Sequence, residues 1–145
     1  MAGKNSTPEE RRLLRRYPAA ELRASLRVKK GLFNESWIEV QPLDYNKQGL
    51  AFDTAAELKP EEDVMVALEL VMDMGSIQIE KLAGVVRYAR PTGSQFRYGI
   101  EFDFQGPRFM RSPDIETQLA RIETLLQRSL NVQHRIRSQK GITLD

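Results

Sequence analysis

The sequence predicts a mainly β domain, a six-stranded antiparallel barrel entered through a short basic arm and followed by one long helix. Three observations predict it. Six segments between Leu22 and Phe104 alternate apolar with polar side chains, the period of a half-buried strand. Turn residues separate them at fairly regular spacing with no helical period between, a pattern that favours a closed barrel because closure leaves no bare strand edge. After Gly106-Pro107 the apolar spacing becomes that of a helix.

The arm comes first. Thr7-Pro8-Glu9-Glu10 is a helix start, with an N-cap residue, proline at the first helical position and Glu10 placed for a capping box. A short helix follows through about Arg16, anchored only by Leu13 and Leu14. A helix so short needs docking or a ligand to stay ordered. Pro18 disfavours helical backbone at Tyr17 and ends it.

From Leu22 the period is two. Leu22, Ala24, Leu26 and Val28 alternate with Arg23, Ser25, Arg27 and Lys29, giving a first strand with a basic outer face. Trp37, Ile38 and Val40 mark a second strand that ends near Pro42, before a corner at Asp44. Leu50 and Phe52 begin a third. Val64, Val66, Leu68 and Leu70 form a fourth, and Asp73-Met74-Gly75 closes a hairpin. Ile77, Ile79, Leu82, Gly84, Val86 and Tyr88 carry the fifth, with an irregularity near Gly84; Arg87 and Tyr88 stand where a ligand could find a stacking partner, though the alternation favours a structural role for Tyr88. Phe96, Tyr98, Ile100, Phe102 and Phe104 form the sixth, and share the alternation of core positions. Ser112-Pro113-Asp114 starts a helix of about 25 residues, with Ile115, Leu119, Ile122, Leu126 and Leu130 on one stripe. Leu125 and Val132 lie off it and could serve a second surface, so packing within the monomer and helix-mediated self-association stand side by side. The expected divisions are 1–21 for the arm, 22–107 for the barrel and 108–145 for the helix and tail.

Composition narrows the function. The chain has 145 residues, 41% of them hydrophobic and 29% charged, as in a soluble globular domain. With no cysteine it has neither disulfides nor thiolate chemistry. No apolar run approaches the ~20 residues of a membrane span and no signal-peptide core is visible, so a cytoplasmic location without membrane insertion is expected. Residues 1–30 hold nine basic and three acidic side chains (+6), which leaves residues 31–145 at −4 against a chain total of +2. A basic arm on a mildly acidic body points to an anionic ligand or an acidic partner surface.

Catalysis finds little support. The lone histidine, His134, falls on the polar part of the C-terminal helix, and no nucleophile–base arrangement, metal-loop spacing or phosphate-binding glycine pattern is present. No metal and no cofactor are expected. Binding fits better. An arginine fork meets a phosphate or the O6/N7 edge of guanine with two hydrogen bonds. Arg11 with Arg15, or Arg12 with Arg16, share a helical face at spacing four and could grip one ligand together. Opposite them stands Asp44-Tyr45-Asn46-Lys47-Gln48-Gly49. Its short polar side chains can bond backbone or ligand, and its glycine can adopt a positive φ. Arm and corner make a two-part clamp for a guanine nucleotide with phosphates.

These segments together resemble the PilZ domain family, bacterial receptors for cyclic di-GMP. That family joins an RxxxR motif in an N-terminal arm to a [D/N]xSxxG motif on a six-stranded barrel. Asp44 to Gly49 is similar to the second motif, with Asn46 where serine is usual. Phe96-Arg97-Tyr98-Gly99-Ile100-Glu101-Phe102 resembles the family's closing strand, and the likeness spans about residues 11–104. Where Arg15-Arg16-Tyr17-Pro18-Ala19 is set against the family's usual run, Ala19 replaces the second arginine. The resemblance implies a non-catalytic cyclic di-GMP receptor, with Arg11, Arg12, Arg15, Arg16, Asp44, Asn46 and Gly49 as ligand residues. It also implies a downstream protein partner and a role in motility or biofilm control. The alternative within the family is a ligand-free adaptor that works by protein contacts. An RNA-binding small barrel is a third reading, disfavoured because its aromatic residues sit at core positions.

Overall fold

The computed structural model describes residues 20–30 and 34–139. The arm motif, with Arg11, Arg12, Arg15, Arg16 and Ala19, lies outside them. Six antiparallel strands run in chain order: β1 (Glu21–Lys30), β2 (Asn34–Asn46), β3 (Gly49–Thr54), β4 (Asp63–Met72), β5 (Gly75–Thr92) and β6 (Gln95–Phe102). They close into a barrel in the spatial order β1-β2-β3-β6-β5-β4. A 3₁₀ turn (Arg108–Arg111) leads into helix α1 (Pro113–Gln139, 27 residues).

The predicted alternation builds the interior. Ala24, Leu26, Val40, Leu50, Phe52, Val66, Leu68, Leu70, Ile79, Leu82, Val86, Tyr98, Ile100 and Phe102 are all buried. Complete burial of a large apolar side chain contributes about 1.5–3 kcal/mol, so this one cluster dominates the fold. Tyr98 satisfies its hydroxyl there by donating to the Ala56 carbonyl (2.9 Å) and accepting from the Leu58 N–H (2.8 Å), which pins the β3–β4 loop.

Helix α1 docks by its first half. Leu119 and Ile122 are buried with Met110, and Ile115, Leu125 and Leu126 pack against them. Three polar bonds fix the seat. The Tyr45 hydroxyl donates to the Leu119 carbonyl (2.7 Å), the Lys47 N–H to Glu123 Oε2 (2.8 Å), and the Ala20 N–H to Ser129 Oγ (3.1 Å). Leu130, expected on the docking stripe, is 56% exposed.

Several boundaries differ from expectation. β2 continues through Asp44 to Asn46 instead of ending near Pro42, since Asp44 and Tyr45 pair with Ala51 and Leu50. β6 stops at Phe102, leaving Phe104 beyond it. Gly84 stays in register with Val64 and Phe102, and the irregularities of β5 fall on either side of it, opposite Val66/Leu68 and between Val86 and Tyr88.

Candidate ligand-binding site

Two β-bulges decide what faces outward at the seam of β2, β3, β6 and β5. On β2, Ile38, Val40 and Pro42 face the core side, and strict alternation would carry Asp44 inward with them. One extra residue, Leu43, lies between the pairs Pro42–Phe52 and Asp44–Ala51. It flips the phase, so Tyr45 goes in toward Phe102 and Asp44 turns out. On β5, Leu82, Gly84 and Val86 are buried, and the same phase would bury Tyr88. Arg87 is the extra residue between Val86–Ile100 and Tyr88–Gly99. Tyr88 consequently stands 46% exposed on the outer face. The structural role expected for it gives way to a surface one.

The two re-aimed side chains end one row. Asp44 pairs with Ala51, Ala51 with Gly99, and Gly99 with Tyr88 across four strands. The centre of this row is alanine and glycine, so the sheet is low at Ala51 and lets the Tyr88 ring fold down onto Gly99. The Tyr88 ring lies directly over Gly99, where a Cβ would collide with it. A concavity of about 280 Å³ results, lined by Asp44, Asn46, Ala51, Arg87, Tyr88 and Glu101 among others.

The flanking rows are charged. On one side Gln41, Asp53, Arg97 and Arg90 stand in register. Arg97 grips Asp53 with two bonds, Nε–Oδ1 2.8 Å and Nη2–Oδ2 3.1 Å, and this hydrogen bonding holds the Asp53 carboxyl below its ordinary range. On the other side the bulged Arg87 gives Nε to Glu101 (2.9 Å) and Nη1 to Glu61 (2.6 Å), which raises its already high pKa. Glu61 reaches this position from a left-handed backbone (φ 67°), rare for a residue with a side chain, and its N–H donates to the Val86 carbonyl at 2.7 Å.

Sequence-predicted residues meet here with altered roles. Asp44 and Asn46 line the same concavity. The Asn46 amide oxygen, however, accepts from the N–H groups of Gln48 (2.7 Å) and Gly49 (3.1 Å), closing the turn at Lys47-Gln48. Its amide nitrogen is what remains for a ligand. Gly49 does not adopt a positive φ; the positive-φ glycines among the described residues are Gly75 and Gly93. Gly49 is required by close approach instead, because a Cβ would run into the Ile100 carbonyl oxygen. The turn is tied to β6 by the Phe102 N–H donating to the Gln48 carbonyl (2.9 Å).

The arm's point of attachment is defined. β1 pairs Ala24 with Val40, so running back to Glu21 brings the chain level with the last third of β2. Ala20, the first described residue, therefore stands at the end of the barrel that carries Asp44. The described rim holds Asp44, Glu101 and Arg87, one net negative charge, so an anionic ligand would need cations from elsewhere.

This fold recurs among solved structures. The crystal structure of YcgR from Escherichia coli in complex with c-di-GMP aligns with a TM-score of 0.51 and 20% identity, over 88% of this chain and 50% of that one. The PilZ domain of the same protein with c-di-GMP aligns at 0.50 and 16%, over 88% of this chain and 96% of that domain. The chain thus spans about half of the first structure and nearly all of the isolated domain. No family model and no curated protein matches the sequence. At these identities the likeness shows the fold: the barrel is of the PilZ type.

Proposed function

We propose that the protein is a non-catalytic receptor for cyclic di-GMP, held between the arginines of the arm and the Asp44–Tyr88 trough. One observation carries this reading: two bulges turn a carboxylate and an aromatic ring outward at opposite ends of a row whose middle is Ala51 and Gly99. The Tyr88 ring covers Gly99, so its outer face offers a surface to stack on, and the low sheet at Ala51 leaves room for a flat base between that ring and Asp44. A carboxylate at Asp44 accepts from the N1–H and exocyclic amine of guanine. The negative rim explains the division of labour, since phosphates and guanine O6/N7 edges fall to Arg11, Arg12, Arg15 and Arg16. The ligands named with both solved neighbours agree with this assignment.

Binding would draw the arm onto the barrel and change the surface offered to a downstream protein. Among the described residues no helix is long and apolar enough to cross a membrane. Titration calorimetry with cyclic di-GMP tests the clamp. Arg15→Ala and Arg16→Ala are each expected to abolish measurable binding while the far-UV spectrum stays unchanged. Unaltered affinity in both variants rejects it.

A second reading has one specific support. The Asn46 amide oxygen is already spent on the turn, and Ala19 stands where an arginine is usual. A barrel that takes no nucleotide and acts by protein contacts would tolerate both. Absence of heat from the unmodified chain selects this adaptor reading.

A further inference from the structure

We infer that the first half of β2 is a docking edge for an extended, basic segment of a partner protein. The barrel closes unevenly. β3 pairs with β2 only from Gln41 onward, while Asn34 to Val40 pair with β1 alone. Among the described residues nothing bonds the other side of these seven residues. In an antiparallel strand every second residue turns its N–H and C=O away from its partner, so this side presents a ladder ready for another strand. A cleft of about 500 Å³ runs beside it, lined by Ile38, Glu39 and Val40 and by Thr54, Ala55 and Gln95.

Side chains along the edge state what it accepts. Glu35, Trp37 and Glu39 point outward in succession, with Trp37 43% exposed. Across β1 their partners are offset. Arg27 leans diagonally to Glu35 (3.1 Å) and Arg23 to Glu39 (3.2 Å), which leaves Trp37 uncovered between two ion pairs. An exposed tryptophan on a bare edge is an anchor for a partner side chain. The flanking carboxylates choose the partner. A second copy added antiparallel about Trp37 would set Glu35 directly opposite Glu39 twice, and like charges directly opposite are unfavourable. A strand of the form basic–x–apolar–x–basic instead pairs both glutamates and covers the indole. Main-chain bonds supply affinity in such strand addition, and the alternate side chains supply the selection.

The test uses the full chain, ¹⁵N-labelled, with three synthetic peptides. Acetyl-Thr-Lys-Thr-Val-Thr-Lys-Thr-amide is expected to bind saturably, shifting amides of Asn34 to Val40 and their β1 neighbours. The same peptide with Glu for Lys is expected to bind at least tenfold more weakly. So is a Lys peptide N-methylated on alternate backbone nitrogens. Trp37→Ala is expected to weaken the Lys peptide tenfold, and Glu35→Lys with Glu39→Lys to reverse the preference toward the Glu peptide. These residues are exposed, so the variants keep the fold and the readout stays interpretable. Equal binding of the Lys and Glu peptides, indifference to N-methylation, or shifts away from β2 would each overturn the inference. So would a dimer by light scattering that Trp37→Ala dissolves.

Discussion

The two ends of β2 make opposite use of one strand. Its second half, Gln41 to Asn46, is paired on β3, bulged at Leu43, and tied to α1 through the Tyr45 hydroxyl and, just beyond the strand, the Lys47 N–H. Its first half is regular, pairs with β1 alone, and leaves Trp37 exposed. The anchored end can hold Asp44 and the Lys47-Gln48 turn in fixed positions, as recognition of a small rigid ligand requires. The open end has backbone bonds to give away, which suits a flexible chain that brings its own strand. Preorganisation and unfilled pairing capacity are alternatives, and this strand spends one at each end.

The strongest way to break the contrast is to loosen the anchor. Leu119 is completely buried between helix and barrel, and its carbonyl accepts from Tyr45. Leu119→Ala removes a packed side chain and leaves a cavity, a change that costs about 2–5 kcal/mol. For a chain of this size that lowers the melting temperature by about 2–4 °C for each kcal/mol. Thermal denaturation followed by circular dichroism checks the loss. Cyclic di-GMP affinity is expected to fall as well, because the turn beside Asp44 loses its brace. Binding of the Lys peptide at the other end of β2 is expected to hold. Parallel loss at both ends would show that the strand behaves as one unit.

Asp44→Ala sharpens the contrast from the other direction. Asp44 is exposed and stands outside the packed core, so its removal is expected to leave the melting temperature within about 0.5 kcal/mol equivalent of the parent. Loss of a charged acceptor facing guanine costs about 1–3 kcal/mol, or roughly tenfold to a hundredfold in affinity by calorimetry. A stability change without an affinity change would make Asp44 a structural residue of the bulge.

Legibility from the sequence followed the same division. The barrel was readable because its interior obeys a period of two almost throughout, from Leu26 through Phe102. The helix was readable because Ile115, Leu119 and Ile122 keep a helical spacing. The trough was only half readable. Asp44 and Asn46 stood out as turn residues, but the bulges at Leu43 and Arg87 carry no residue signature, and extending the alternation through them gives Tyr88 the wrong face. Arg87 was legible as a possible stacking partner beside Tyr88, but its ion pairs were not, since Glu61 and Glu101 lie 26 and 14 positions away. Trp37 read correctly as a strand residue. That its edge is open depends on where β3 stops, a property of pairing that no local pattern encodes.

The smallest effect isolates a single bond of the anchored end. Tyr45 is largely buried, and that burial, with Glu123 nearby, pushes its phenol well above the usual value of 10. Tyr45→Phe keeps the ring against Phe102 and deletes only the bond to the Leu119 carbonyl, a loss of about 1 kcal/mol at neutral pH. The pH dependence then gives a second, independent reading. In the folded chain Tyr45 keeps its proton where the unfolded chain has begun to release it. The folded state therefore binds more protons above about pH 10, and stability falls as pH rises through that range. Below pH 10 the contribution is fully present. Denaturant melts at pH 8 and pH 10.5 should show the parent losing more stability between the two than Tyr45→Phe does, so that the two proteins converge. Parallel loss in both would place the alkaline weakness elsewhere and leave Tyr45 as packing alone.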